Sequence, residues 1–149
     1  MDSDVFEKEY DCTGIDLNIE KQLYYLKEVF PRYQEEYTPD SNPGLSLFDA
    51  YVYYSMIREK KPAIMIEVGA GESTKIGLKA LEMNKKEGFA CKFYSIDPYP
   101  TEYLRRIKAD NFKMIEKKVQ DIDADFLKAA DLLFIDSSHT CKINSDVNC

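Results

Sequence analysis

Four short apolar runs, separated by helix-like stretches, restrict this chain more than any other feature. Residues 63–68 (Ala-Ile-Met-Ile-Glu-Val) close at Gly69, and residues 92–96 close at Asp97. A third run lies within 112–119, and residues 132–135 (Leu-Leu-Phe-Ile) close at Asp136. Apolar runs of this length suit strands buried on both faces. The intervening segments predict helices over 73–84, with Ile76, Ala80 and Leu81 inward, over 101–108 and over 123–130. Strands alternating with helices at this spacing imply crossover connections and a parallel sheet, so the fold class is α/β.

Upstream the rhythm is purely helical. Ile19, Leu23, Leu26 and Phe30 recur at spacings of four, three and four, which predicts a helix from Asp16 that Pro31 stops or kinks. Thr-Pro-Asp-Ser-Asn-Pro-Gly at 38–44 reads as a linker. Ser46, with Asp49 three residues on, predicts the N-cap of a second helix whose apolar face holds Leu47, Tyr51, Tyr54 and Ile57. The chain thus divides into a helical extension and linker over 1–44 and a sheet-bearing domain over 45–149.

Composition excludes several classes. At 149 residues and 44% hydrophobic, the chain can bury a core and does not resemble a disordered segment. A net charge of −7 leaves no basic surplus to neutralise a nucleic-acid backbone. No apolar run approaches the length of a membrane span. Cys12, Cys91, Cys141 and Cys149 form no Cys-x-x-Cys pair, and the N-terminus is acidic where a signal peptide is basic. The expectation is a cytoplasmic chain that partners neither nucleic acid nor membrane.

The informative loop is Ile66-Glu67-Val68-Gly69-Ala70-Gly71-Glu72-Ser73-Thr74. It is a strand, a glycine turn and a helix start. Gly69 and Gly71 allow a ligand to approach bare backbone, and Ser73 or Thr74 can cap the helix. Asp97 ends the next strand, where a carboxylate can accept hydrogen bonds from ribose hydroxyls. A dinucleotide fingerprint would want a third glycine where Thr74 stands, and Glu67 and Glu72 disfavour a pyrophosphate. A cationic nucleoside fits better, with Glu67 set to hold an ammonium directly or through water.

Hydrophobic-acid-hydrophobic-Gly-x-Gly-x-Ser resembles motif I of the class I S-adenosylmethionine-dependent methyltransferases. The resemblance implies a Rossmann-like fold with strand order 3-2-1-4 in the part of the sheet encoded here. It implies cofactor contacts at Glu67, Gly69, Ala70, Gly71, Ser73 and Asp97, and adenine contacts at Gln120, Asp121 and Ile122. A narrower resemblance lies in Phe134-Ile135-Asp136-Ser137-Ser138-His139, which is similar to the Phe-Ile-Asp-x-x-His stretch of O-methyltransferases acting on sugars and natural products. That likeness implies a small-molecule hydroxyl acceptor, with His139, the single histidine, as general base. Asp136 would orient His139 or bind a divalent ion such as magnesium. The bland alternative for His139 is a local hydrogen bond in a loop, and one carboxylate with one histidine is a sparse metal site.

The family's sheet has seven strands and only four are encoded here, so the chain reads as truncated, with the acceptor half of the domain missing. The fourth run would then be an exposed edge inviting self-association. Two other readings stay open: a nicotinamide-dependent oxidoreductase, and a non-catalytic remnant or interaction module with a Rossmann-like fold.

Overall fold

The computed structural model describes residues 14–38 and 45–137. Four parallel strands, β1 (Ile64–Val68), β2 (Lys92–Ile96), β3 (Phe112–Ile115) and β4 (Leu132–Ile135), form one sheet in the order β3-β2-β1-β4. The helices are α1 (Ile19–Tyr24), α2 (Leu47–Lys60), α3 (Glu72–Lys86), α4 (Glu102–Arg105) and α5 (Ala124–Lys128). This is the α/β, Rossmann-like arrangement with N-terminal helices that the strand rhythm and the motif resemblance implied. No helix among the described residues is long and apolar enough to cross a membrane.

The period-two alternation of β1 sorts the core into two layers. Met65 faces a cluster with Phe93 from β2, Tyr53, Tyr54 and Ile57 from α2, and Ile76, Ala80 and Leu81 from α3. Ile66 and Val68 face the opposite layer, with Ile96, Val119 and, from α5, Phe126 and Leu127. Helix α3 lies close on the sheet because Gly77 stands where a Cβ would come within 3.3 Å of Met65 and Phe93. Ser46 caps α2 as its sequence implies, its Oγ accepting the Asp49 N–H at 3.1 Å.

The N-terminal helix differs from expectation. Of the two outcomes expected at Pro31, a stop or a kink, the stop does not occur. Helix α1 passes into a π-helical turn (Tyr25–Val29) and then a 3₁₀ turn (Phe30–Tyr33), where the proline occupies an early position that needs no N–H donor. The periodic residues are not all inward either. Phe30 is buried, but Ile19, Leu23 and Leu26 are about half exposed. The segment is held instead by its C-terminal half. Tyr51 Oη donates to the Phe30 carbonyl, and Tyr33 Oη donates to Glu59 at 2.9 Å. Leu47 of α2 is likewise exposed. The expected 101–108 helix shortens to the single turn of α4, which buries only Leu104. Of the 38–44 linker, residues 39–44 lie outside the described residues.

Candidate active site

The strand ends of β1, β2 and β4 meet at the glycine turn. Gly69 leaves β1 with φ +90°, and its N–H donates to the Ile96 carbonyl of β2 at 2.9 Å. The position tolerates no side chain, since a Cβ there would lie 2.0 Å from the carbonyl oxygen of Asp136. On the same side the Asp136 N–H donates to the Val68 carbonyl at 3.0 Å. Gly71 is the opposite case: a Cβ would meet nothing within 4 Å. The chain therefore presents bare backbone to open space at Gly71 while it is pinned at Gly69.

Two acids serve this turn differently. Asp97, at the end of β2, is half-buried; its Oδ2 accepts the Ala70 N–H at 3.0 Å and its Oδ1 accepts the Tyr99 N–H at 2.7 Å. Its carboxylate is thus fixed beside the turn with lone pairs remaining for another donor. Glu67 is fully buried. Ser73 Oγ donates to its Oε1, and Thr74 Oγ1 and Ser95 Oγ donate to its Oε2, all at 2.6 Å. Burial pushes the Glu67 carboxyl above its ordinary pKa, the hydroxyls of Ser73, Ser95 and Thr74 oppose that, and the charge of Asp136 adds to it.

This geometry refines two expectations. Glu67, expected to hold an ammonium directly or through water, is fully buried with three hydroxyls donating to its carboxylate. Ser73 does not cap α3: the N-cap is Gly71, and the Ser73 hydroxyl is engaged by Glu67. Thr74 Oγ1 accepts the Gly71 N–H at 3.1 Å, which is half of a capping box. The Glu67 carboxylate ties together β1, β2 and the first turn of α3, and so braces the turn from beneath.

Gln120 and Asp121 lie in a short 3₁₀ turn (Val119–Asp121) beyond β3, both exposed, and Ile122 packs against the Ile66 layer. All three follow the carboxyl end of the strand neighbouring β2. Asp136 follows β4 and is half-buried. His139 lies outside the described residues, as do Asp146, Cys141 and Cys149. Among the described residues no group of three or more His, Cys, Asp or Glu side chains is gathered as a metal site.

Sequence reasoning passed over two residues. Ser95 lies opposite Glu67 in the β1–β2 register, and a serine inside an apolar strand beside a buried acid was the available signal. Tyr53 of α2 packs against Phe134 of β4 with ring centroids 4.2 Å apart, and its buried hydroxyl has no hydrogen-bond partner among the described residues. Burial, then the charges of Glu67 and Asp136, push its pKa well up. No local sequence signal marks that residue.

Three similarities bear on this site. An uncharacterized protein of Archaeoglobus fulgidus is 32% identical over 140 residues, an alignment covering 79% of this chain. The chain spans 59% of that relative's length. A crystal structure of the SAH-bound Podospora anserina methyltransferase PaMTH1 superposes with a TM-score of 0.48 at 14% identity, covering 87% of this chain and 62% of that one. The family model described as a methyltransferase domain matches residues 66–147, which begin inside β1 and take in Gly69, Gly71, Asp97 and Asp136. With more than half its length in that match, the chain belongs to the methyltransferase domain family.

Proposed function

We propose that this chain binds S-adenosylmethionine at the β1–β2 strand ends and belongs to an enzyme that methylates a hydroxyl of a sugar or small natural product. The observation that carries the reading is the pairing of a bare, open Gly71 with an Asp97 carboxylate fixed beside it through the Ala70 N–H. A ligand with a ribose and a positive charge suits that pairing, because Asp97 offers acceptors for hydroxyls and the turn carries no basic side chain. The missing third glycine of a dinucleotide site points the same way. Thr74 stands there, fully buried and bonded to both Glu67 and Gly71.

When bound, S-adenosylmethionine supplies an electrophilic methyl group on a sulfonium centre. The chain's own residues then have two tasks. The Gly69–Gly71 turn, braced by Glu67, holds the methionine and ribose portions, and Gln120, Asp121 and Ile122 border the base. The acceptor oxygen forms its bond to the methyl carbon as the carbon–sulfur bond breaks, and the hydroxyl proton passes to a base. By the family resemblance that base is His139, with Asp136 orienting it. Alignment of the reacting atoms is the main contribution asked of the protein.

Calorimetric titration with S-adenosylhomocysteine and, separately, with NAD tests this reading. Binding of the former, weakened at least about tenfold by Asp97→Ala, is expected for the loss of charge-assisted hydrogen bonds. Tighter binding of NAD, or no binding of S-adenosylhomocysteine at millimolar concentration, refutes it, and the second result favours a non-catalytic module.

A further inference from the structure

The N-terminal helical segment carries an apolar surface that the methyltransferase reading does not use. Ile19, Leu23 and Leu26 form a ridge along one face of the helix, each about half exposed. Leu26 also lines a groove of about 560 Å³ whose far wall includes Leu47 and Phe48 of α2, which are 55% and 60% exposed. Ridge and groove are thus adjacent parts of one patch. The groove lies on the side of α2 that carries Tyr51, whereas Tyr53 faces the sheet, so it is separate from the strand-end site.

We infer that this patch is the interface of a two-fold homodimer, in which the α1 ridge of one copy enters the groove of the other. A two-fold contact requires one surface to complement itself, and a ridge beside a groove does so. The area agrees. Five half-exposed side chains with the neighbouring Tyr24 offer on the order of 600 Å² per protomer, which Ile15 and Leu17 extend, and a specific dimer needs about 600–1,000 Å² on each side. Such an area is also more than a monomer commonly leaves bare.

Charge sets the direction. Glu20 and Lys27 lie on either side of Leu23 in sequence, opposite in charge, and neither is ion-paired among the described residues. When two such helices pack antiparallel, residues on matching flanks meet. Glu20 of each copy then faces Lys27 of the other, twice by symmetry.

Sedimentation velocity of the full chain tests this inference. The wild type is expected to be a dimer at concentrations up to about 200 µM, and Leu23→Glu or Phe48→Glu to weaken association at least about 100-fold. Both residues are exposed, so circular dichroism should be unchanged in the variants, and melting temperature should fall only by the concentration-dependent contribution of the dimer. Glu20→Lys should weaken the dimer, and adding Lys27→Glu should restore it. Leu133→Lys, on the half-exposed β4 edge, should leave the dimer intact. A monomeric wild type, a dimer that survives both glutamate substitutions, failure of the charge swap to restore association, or a dimer lost only with Leu133→Lys would each overturn the proposal. The last result would assign self-association to β4 instead.

Discussion

Gly69 and Gly71 stand two residues apart in one turn, yet alanine should act on them in opposite ways. At Gly69 the backbone has φ +90°, and a new Cβ would sit 2.0 Å from the Asp136 carbonyl oxygen. Real Cβ contacts essentially never fall below 3.0 Å, so the end of β4 must retreat by about an ångström. The left-handed conformation costs a side-chain-bearing residue about 1–2 kcal/mol. The retreat also strains the Asp136 N–H to Val68 carbonyl bond, worth about 1 kcal/mol net. Together these give about 2–3 kcal/mol, or roughly 4–12 °C in melting temperature for a domain of this size. At Gly71 a Cβ meets nothing and φ is −170°, so Gly71→Ala should melt within about 2 °C of the wild type. It should nevertheless weaken S-adenosylhomocysteine binding at least about tenfold, because the added methyl occupies the space the ligand needs. Differential scanning calorimetry and titration of both variants decide the matter. A Gly69→Ala protein with unchanged stability, or a Gly71→Ala protein with unchanged affinity, would refute the division of labour assigned to the turn.

Four further outcomes follow from the packing. Arg58 is buried and bonds Glu36, Asn84 and Glu87, so Arg58→Met should destabilise on the ~3 kcal/mol scale of a broken buried pair, measured by urea unfolding. Replacing Arg106, whose pairing with Glu102 is exposed, should change stability by less than about 0.5 kcal/mol. Tyr53→Phe removes a buried hydroxyl without a partner and should leave stability unchanged or raise it by up to about 1 kcal/mol; a clear loss would show that the hydroxyl has a native partner. In acid, the Arg58 hydrogen bonds hold the Glu36 carboxyl below its ordinary range, and with Lys61 they bring Glu87 from 4.5 to about 2. These lowered values contribute stability above pH 4.5 that is lost as pH falls towards 2, while the raised Glu67 acts in the opposite sense. Melting temperature should therefore decline between pH 4.5 and 2, and less steeply in Arg58→Met; a flat profile in the wild type would contradict this.

Much of the sheet was legible because its signals are local. The boundaries of β2 and β4 agree with the apolar runs to the residue, since each run ends at an aspartate that leaves the sheet. Asp123 and Ser46 also mark helix starts where a short acceptor side chain precedes the apolar pattern, and both accept a backbone N–H from their helix. The N-terminal segment was legible only in part. Its period is helical, but periodicity does not say what the face packs against. Contacts from residues 18–26 positions away in sequence, through Tyr51, Tyr54, Arg58 and Glu59, bury its C-terminal end and leave Ile19, Leu23 and Leu26 about half exposed. The remaining site residue of the sequence reading, His139, lies outside the described residues.

Glu67 shows why residue type was readable while its orientation was not. An acid two residues before a glycine turn invites a direct ionic role, and charge complementarity with a sulfonium ligand favours that view. Burial decides otherwise. A carboxylate removed from water must be compensated by donors, and three are supplied from sequence separations of six, seven and 28 residues. Two of those donors stand in the first turn of α3, so the acid that is lost to direct ligand contact fixes where α3 begins. The third, Ser95, sits two residues before Asp97 and locks β2 against β1 in the register that brings Asp97 to the Ala70 N–H. Glu67 and Asp97 therefore act in series: the buried acid sets the positions of the turn and strand end, and those positions hold the half-buried carboxylate beside the open Gly71 backbone.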